Sequence, residues 1–294
     1  MKKSLLKTAL CLLVITMIIS NLSAQKAYLS FNAGYGLNLG SITYNNYVSY
    51  QISNTNYTST NESKGLSLGK GFNICGAFGY MFNKNIGTEL GISYLFGAST
   101  IFTSNYYYLD GTSTYLNKTY SSNMLRFNPS IIITSGFNKL NPYAKLGLII
   151  GTGSIIIDYE DKEKYTTGNP NPPYNNIVTD TIFFVSNKMN GGLAFGFNAS
   201  VGVIYKLNDK ISLFGEVNMI NLCYAPTKGE IVKYTKNGQD ILSTLTTHTK
   251  ETEYVDIYNY DPSITNSTDV PTKSTKFNMP FGSIGINLGI RFNF

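Results

Sequence analysis

The sequence predicts an all-β fold: an eight-stranded antiparallel up-and-down transmembrane β-barrel with long loops gathered at one end. Three observations carry this expectation. From residue 25 onward, apolar and polar residues alternate with a period of two, the mark of strands with one apolar face. Short polar connections alternate strictly with long ones along the chain. Each alternating segment sets bulky apolar residues against Gly, Ser and Asn.

The strands are expected at 27–39, 68–82, 86–99, 122–137, 142–157, 189–206, 211–224 and 277–294. Three connections are tight: Asn83-Lys84-Asn85, Asn138 to Pro142, and Asn208-Asp209-Lys210. Asn and Asp suit such turns because they tolerate left-handed backbone. The four others, 40–67, 100–121, 158–188 and 225–276, are long. Long connections inside a compact soluble domain count against an assignment. An up-and-down array places all of them at one end, as in barrels with short periplasmic turns and long outer loops.

The faces decide what the wall meets. Strand 27–39 sets Leu29, Phe31, Tyr35 and Leu37 against Ser30, Asn32, Gly34 and Gly36. Strand 189–206 sets Leu193, Phe195, Phe197, Val201 and Val203 against Gly196, Asn198, Ser200 and Gly202. The polar faces are small and weakly charged, which suits a crowded lumen better than a solvated surface. Bulky residues at nearly every apolar position suit a wall in hydrocarbon, where a closed barrel pairs every backbone group. Two places break the pattern, Pro129 inside one strand and Pro280 near the start of the last. Both are expected to be bulges.

Residues 1–24 have the layout of a secretory signal peptide: Lys2, Lys3 and Lys7, then an apolar run from Ala9 to Ile19, then a short polar stretch ending at Ala24. The run is shorter than the ~20 residues a spanning helix needs. Residues 25–294 are the expected barrel domain, and their 20 basic and 17 acidic residues leave a net charge of +3. That is too weak a balance to suggest a nucleic-acid partner. Cys75 and Cys223 remain after processing, and by parity they point to opposite faces, so no disulfide is expected.

Together, the export signal, eight alternating strands, three short turns, four long loops and the terminal Gly289-Ile290-Arg291-Phe292-Asn293-Phe294 resemble the small outer-membrane β-barrels of the OmpA/OmpX-like "porin family" class. The resemblance covers residues 27–294. It implies residence in the cell outer membrane, contact with outer-membrane lipid, and insertion by a barrel-assembly machinery. That machinery would read Ile286, Leu288, Ile290, Phe292 and Phe294 on the closing strand. No domain is expected after the barrel, so the peptidoglycan anchoring of OmpA is not.

Glu89, Arg126, Lys145, Glu216 and Arg291 all fall on the lumen phase of their strands. Buried charges persist only when paired, so these are expected to form an internal network, either a structural plug or the lining of a narrow pore for ions or small solutes. The loops carry tyrosine clusters: Tyr44, Tyr47, Tyr50 and Tyr57; Tyr106, Tyr107 and Tyr108; Tyr254, Tyr258 and Tyr260. A flat apolar ring with a hydroxyl suits glycan or protein ligands and suits cross-strand packing equally. Asn237-Gly238 between two apolar stretches signals a hairpin that extends a loop.

No catalytic residue, metal site or cofactor is expected. Gly65-Leu66-Ser67-Leu68-Gly69 matches the nucleophile-elbow pattern but runs into a strand, whereas the mechanism needs a strand-to-helix turn. His248, the single histidine, sits deep in the longest loop, away from the acids and serines that a rim hydrolase acting on lipid or peptide requires.

Overall fold

The computed structural model describes residues 27–53, 55–109, 111–167, 177–259 and 267–294. The leader expected over residues 1–24 and Tyr260 lie outside them. Strand β1 (Ala27–Asn38) is followed by β2 (Ile42–Gln51), β3 (Tyr57–Leu66), β4 (Gly71–Met81) and β5 (Ile86–Gly97). Next come β6 (Thr100–Tyr107), β7 (Ser113–Thr134), β8 (Leu140–Thr167), β9 (Ile177–Asn190), β10 (Ala194–Lys206) and β11 (Ile211–Tyr224). The chain then forms β12 (Lys228–Lys236), β13 (Gln239–Asp240), a short helix α1 (Thr247–Lys250), β14 (Glu251–Val255), β15 (Thr272–Thr275), β16 (Met279–Pro280) and β17 (Ser283–Asn293). All the strands belong to one sheet.

The long strands pair antiparallel in the series β1–β4–β5–β7–β8–β10–β11–β17. The last returns to the first, with Tyr28 opposite Asn293 and Asn38 opposite Ser283. Phe294 N–H donates to Ala27 O across the same seam (3.0 Å). Their bulky residues face outward. Leu288 is 68% exposed and Phe197 52%, whereas Asn287 and Ser200, on the opposite faces, are 8% and 4% exposed. The inward-facing glycines make room for aromatic rings. A Cβ on Gly79 would lie 2.0 Å from Tyr28 Cζ, and one on Gly289 would lie 2.4 Å from Phe214 Cζ.

The tight turns form as their residues dictate. Asn83 Oδ1 accepts from the N–H groups of Asn85 and Ile86, each at 2.8 Å. Asn208 Oδ1 does the same for Lys210 (2.9 Å) and Ile211 (2.8 Å).

The four long connections, expected as loops, are largely strand that continues past the ring of long strands, and the hairpin expected at Asn237-Gly238 is one of these extensions. β2 and β3 form a hairpin; β6 pairs with the upper half of β7; β8 and β9 run on together to Thr167 and Ile177. At about 3.3 Å per residue the 28 residues of β8 extend to roughly 90 Å, several times the ~9–11 residues a membrane crossing takes. Asn237 and Gly238, both with positive φ (50° and 81°), close the hairpin that sets Lys236 opposite Gln239.

Neither proline makes a bulge, a second correction. Pro129 faces Leu90 in an unbroken β5–β7 register, and β7–β8 pairing resumes in the same register on either side of it, at Phe127–Ile150 and Ser130–Gly147. At Pro280 the pairs Cys223–Pro280 and Ile220–Ser283 also share one register. No change of phase is needed, because Met279 and Phe281 point inward and are buried. Within the ring of long strands a bulge lies elsewhere. β8 pairs Gly151 with Ala194 but Ser154 with Asn190, so the two β8 residues between these pairs oppose three. The extra residue is absorbed at Gly191 and Gly192, whose φ of 83° and 76° is cheap for glycine.

Candidate functional site

The interior of the ring is layered. Nearest the tight turns, Ile132, Tyr143, Ile204 and Phe214 form a small apolar cluster. Above it lies a charged knot. Lys145 Nζ stands 3.1 Å from Glu89 Oε1 and 2.8 Å from Glu216 Oε2. Tyr28 Oη donates to Glu89 Oε2 (2.9 Å), while Tyr143 Oη (2.8 Å) and Asn287 Nδ2 (2.9 Å) donate to Glu216. Arg291 Nη2 lies 4.0 Å from Glu89 Oε2, and its guanidinium stacks 3.8 Å above the Tyr28 ring. Opposite charges and donors thus fill the coordination of both carboxylates, which is what makes their burial tolerable.

Arg126 stands apart from that knot. It is 1% exposed, its Nη1 donates to Asn73 Oδ1 (3.2 Å), and no carboxylate among the described residues reaches it. The expected network of five is therefore a cluster of four with a separate arginine, because Arg126 sits nearer the loop end. It lines a cavity of about 50 Å³ together with Asn73, Cys75, Asn128 and Asn198, and with Glu89, Lys145 and Glu216 of the knot.

Above the cavity the lumen is closed by apolar side chains. Leu66, Leu68, Leu95, Met124, Leu222 and Phe281 are buried members of one cluster. A strap formed by residues 67–70 crosses here. Leu68 N–H donates to Pro280 O (2.8 Å), Leu68 O accepts from Ser122 Oγ (2.8 Å), and Ser67 Oγ donates to Gly282 O (2.6 Å). Tyr224 lies edge-on to Phe281 at 5.7 Å. Sequence reasoning missed this seal. Its signal was available: Leu95, Met124, Ile149, Ile220 and Leu222 all carry the lumen parity, at the loop end of their strands.

The loop-end tyrosines pack mostly on one another. Tyr44 packs against Phe102 (5.1 Å), Tyr47 against Tyr106 (5.2 Å), Tyr50 stacks on Tyr107 (4.7 Å) and Tyr254 meets Phe277 (5.2 Å). A hydrogen bond with Tyr115 pushes the Tyr107 phenol up to about 12. Tyr57, Tyr108 and Tyr258 are exposed.

The remaining motifs are placed as follows. Ser67 is buried and bonded to backbone, not presented at an elbow. His248 sits in α1 with its Nδ1 3.3 Å from Val270 O. Cys75 lines the cavity, Cys223 is exposed on the outer wall, and both are free thiols. On the closing strand Ile286, Leu288 and Phe294 are exposed, and Ile290 and Phe292 are half-buried.

Compared with protein-family models, residues 9–241 match the outer membrane protein beta-barrel domain. The chain belongs to this family. Membership indicates the outer membrane as its location and agrees with the all-β ring and its apolar outer wall. Among curated proteins, no match is found. Among solved structures, the chain is similar to that of CarO2 from Acinetobacter baumannii, at 14% identity over 91% of this chain and 99% of that one, with a TM-score of 0.30. At that score the likeness carries no argument about this outer-membrane protein.

Proposed function

We propose that the eight long strands form a closed transmembrane barrel whose lumen does not conduct. Its role is structural and adhesive, displaying an extracellular β-sheet to glycan or protein ligands. In this reading the tight turns face the periplasm, and the last strand carries the signal read by the assembly machinery. No catalytic role is assigned to Ser67 or His248. One observation supports the reading above the others: the lumen narrows to a cavity of about 50 Å³ between two apolar clusters. A hydrated ion would have to displace both. The extracellular sheet, by contrast, leaves Tyr57, Tyr108 and Tyr258 open to solvent.

The competing reading is a narrow pore using Glu89, Lys145, Glu216, Arg126 and Arg291. Recording from the purified protein in planar bilayers separates the two. A silent membrane with verified insertion is expected. Steady unitary conductance that changes with Glu216→Ala would overturn the proposal.

A further inference from the structure

Inward-facing charge in the ring does not balance. Three cations, Arg126, Lys145 and Arg291, face two carboxylates, Glu89 and Glu216, which leaves one positive charge. Both carboxylates are engaged by Lys145, and Arg291 approaches Glu89. Arg126 is the cation with no carboxylate within ion-pair distance among the described residues, although Glu89 and Glu216, both held by Lys145, share its cavity, so the surplus falls to it. Its Nε and Nη2 are buried and find no hydrogen-bond partner among the described residues. The same residue lines the cavity of about 50 Å³. A cation without a counter-charge is strongly disfavoured in such a place, because apolar clusters above and below keep bulk solvent from screening it.

We propose that this cavity binds one small inorganic monovalent anion, chloride under physiological conditions, held by the Arg126 guanidinium. Size selects the class. One water needs about 10–15 Å³ of such volume, so the cavity takes a halide with a water or two, but not a nucleotide or a sugar phosphate. Charge selects it too. Water could accept from the free N–H groups of Nε and Nη2 but would leave the positive charge uncompensated, whereas an anion does both. The wall can help: Asn128 and Asn198 line the cavity with a side-chain oxygen that has no partner among the described residues. Asn128 Nδ2 donates to Ser93 Oγ (3.0 Å). A hydroxyl can donate as well as accept, so the Asn128 amide can turn over, keep its bond to Ser93 and offer N–H to the anion.

This inference rests on the sealed lumen proposed above, and its test fails separately from the conductance test. Wild-type protein folded in detergent and crystallised from sodium bromide is expected to show a bromide anomalous peak within hydrogen-bonding distance of Arg126 Nε or Nη2. In solution, urea unfolding is followed by heat-modifiable mobility at constant ionic strength, with chloride exchanged for gluconate. The folded-to-unfolded ratio should rise roughly tenfold for each tenfold increase in chloride above its dissociation constant. Arg126→Met should abolish that dependence. No anomalous peak in wild-type crystals, or the same chloride dependence in Arg126→Met, overturns the proposal. The crystal result stands even if the variant fails to fold.

Discussion

Two layers of the lumen are held by opposite chemistry. Toward the tight turns, Lys145 ties Glu89 to Glu216 and a shell of Tyr28, Tyr143 and Asn287 completes the bonding. Toward the long connections, the side chains of Phe281, Leu68 and Met124 close the bore by apolar packing, with the backbone of the 67–70 strap hydrogen-bonded in place. Both are interior, yet they resist change differently. A charged knot holds its members by mutual need, so loss of one leaves the others unpaired. An apolar plug loses only transfer and cavity energy, but it leaves a hole.

The sharpest way to break the comparison is Lys145→Met. It leaves Glu89 and Glu216 buried without their shared cation, and should destabilise the protein by about 3–5 kcal/mol. The loss would appear as a fall in the urea midpoint of heat-modifiable mobility. The apolar seal should meanwhile stay closed. Phe281→Ala attacks the other layer. We expect a loss of about 3 kcal/mol, no larger than that of the charged knot, together with new access of water to the cavity. If Lys145→Met cost less than Phe281→Ala, the charged layer would not be the stronger fastening.

Much of this was legible in the sequence, and what was missed has a common cause. Strand phase was readable because Leu288, Phe197 and their kind recur every second residue on one face. The turns at Asn83 and Asn208 were readable from their Asn and Asp residues, but for a different reason than expected: neither Asn is left-handed, and in each one side-chain oxygen satisfies two backbone N–H groups. The apolar plug was hidden by the premise that every bulky apolar residue faces outward. That premise also made the residues around Pro280 look like a bulge that the register does not contain. Arg126 was grouped with the other charges by parity alone, and parity gives the side of a strand but not the height along the barrel. Most strands within the long connections were not legible, because Ser, Thr, Asn and Tyr alternate there without an apolar face. Strands that stand in water on both sides need none.

Smaller effects belong to that water-exposed sheet. Tyr50→Ala removes the ring stacked on Tyr107 and should cost about 1 kcal/mol, read as faster hydrogen exchange in β2 and β6 with no change in the lumen. The smallest effect should come from pH. Lys162, and a hydrogen bond from Asn117, hold the Glu160 carboxyl below its ordinary value. Its contribution is therefore present at neutral pH and lost as acid protonates it below the usual carboxylate range. Because the group is mostly solvated, the change should be a local loosening of the upper β7–β8 ladder, seen in exchange protection around residues 158–162.

The account depends most on the lumen being a sealed protein interior, and the chain carries its own probe in Cys75 on the cavity wall. In a Cys223→Ser background, folded protein in lipid vesicles is exposed to a charged, membrane-impermeant thiol reagent. Cys75 is predicted to remain unlabelled until the barrel is unfolded, and to become labelled in the folded state once Phe281→Ala is added. Labelling of Cys75 in the folded protein with Phe281 intact, at the rate of a free thiol, would contradict the account.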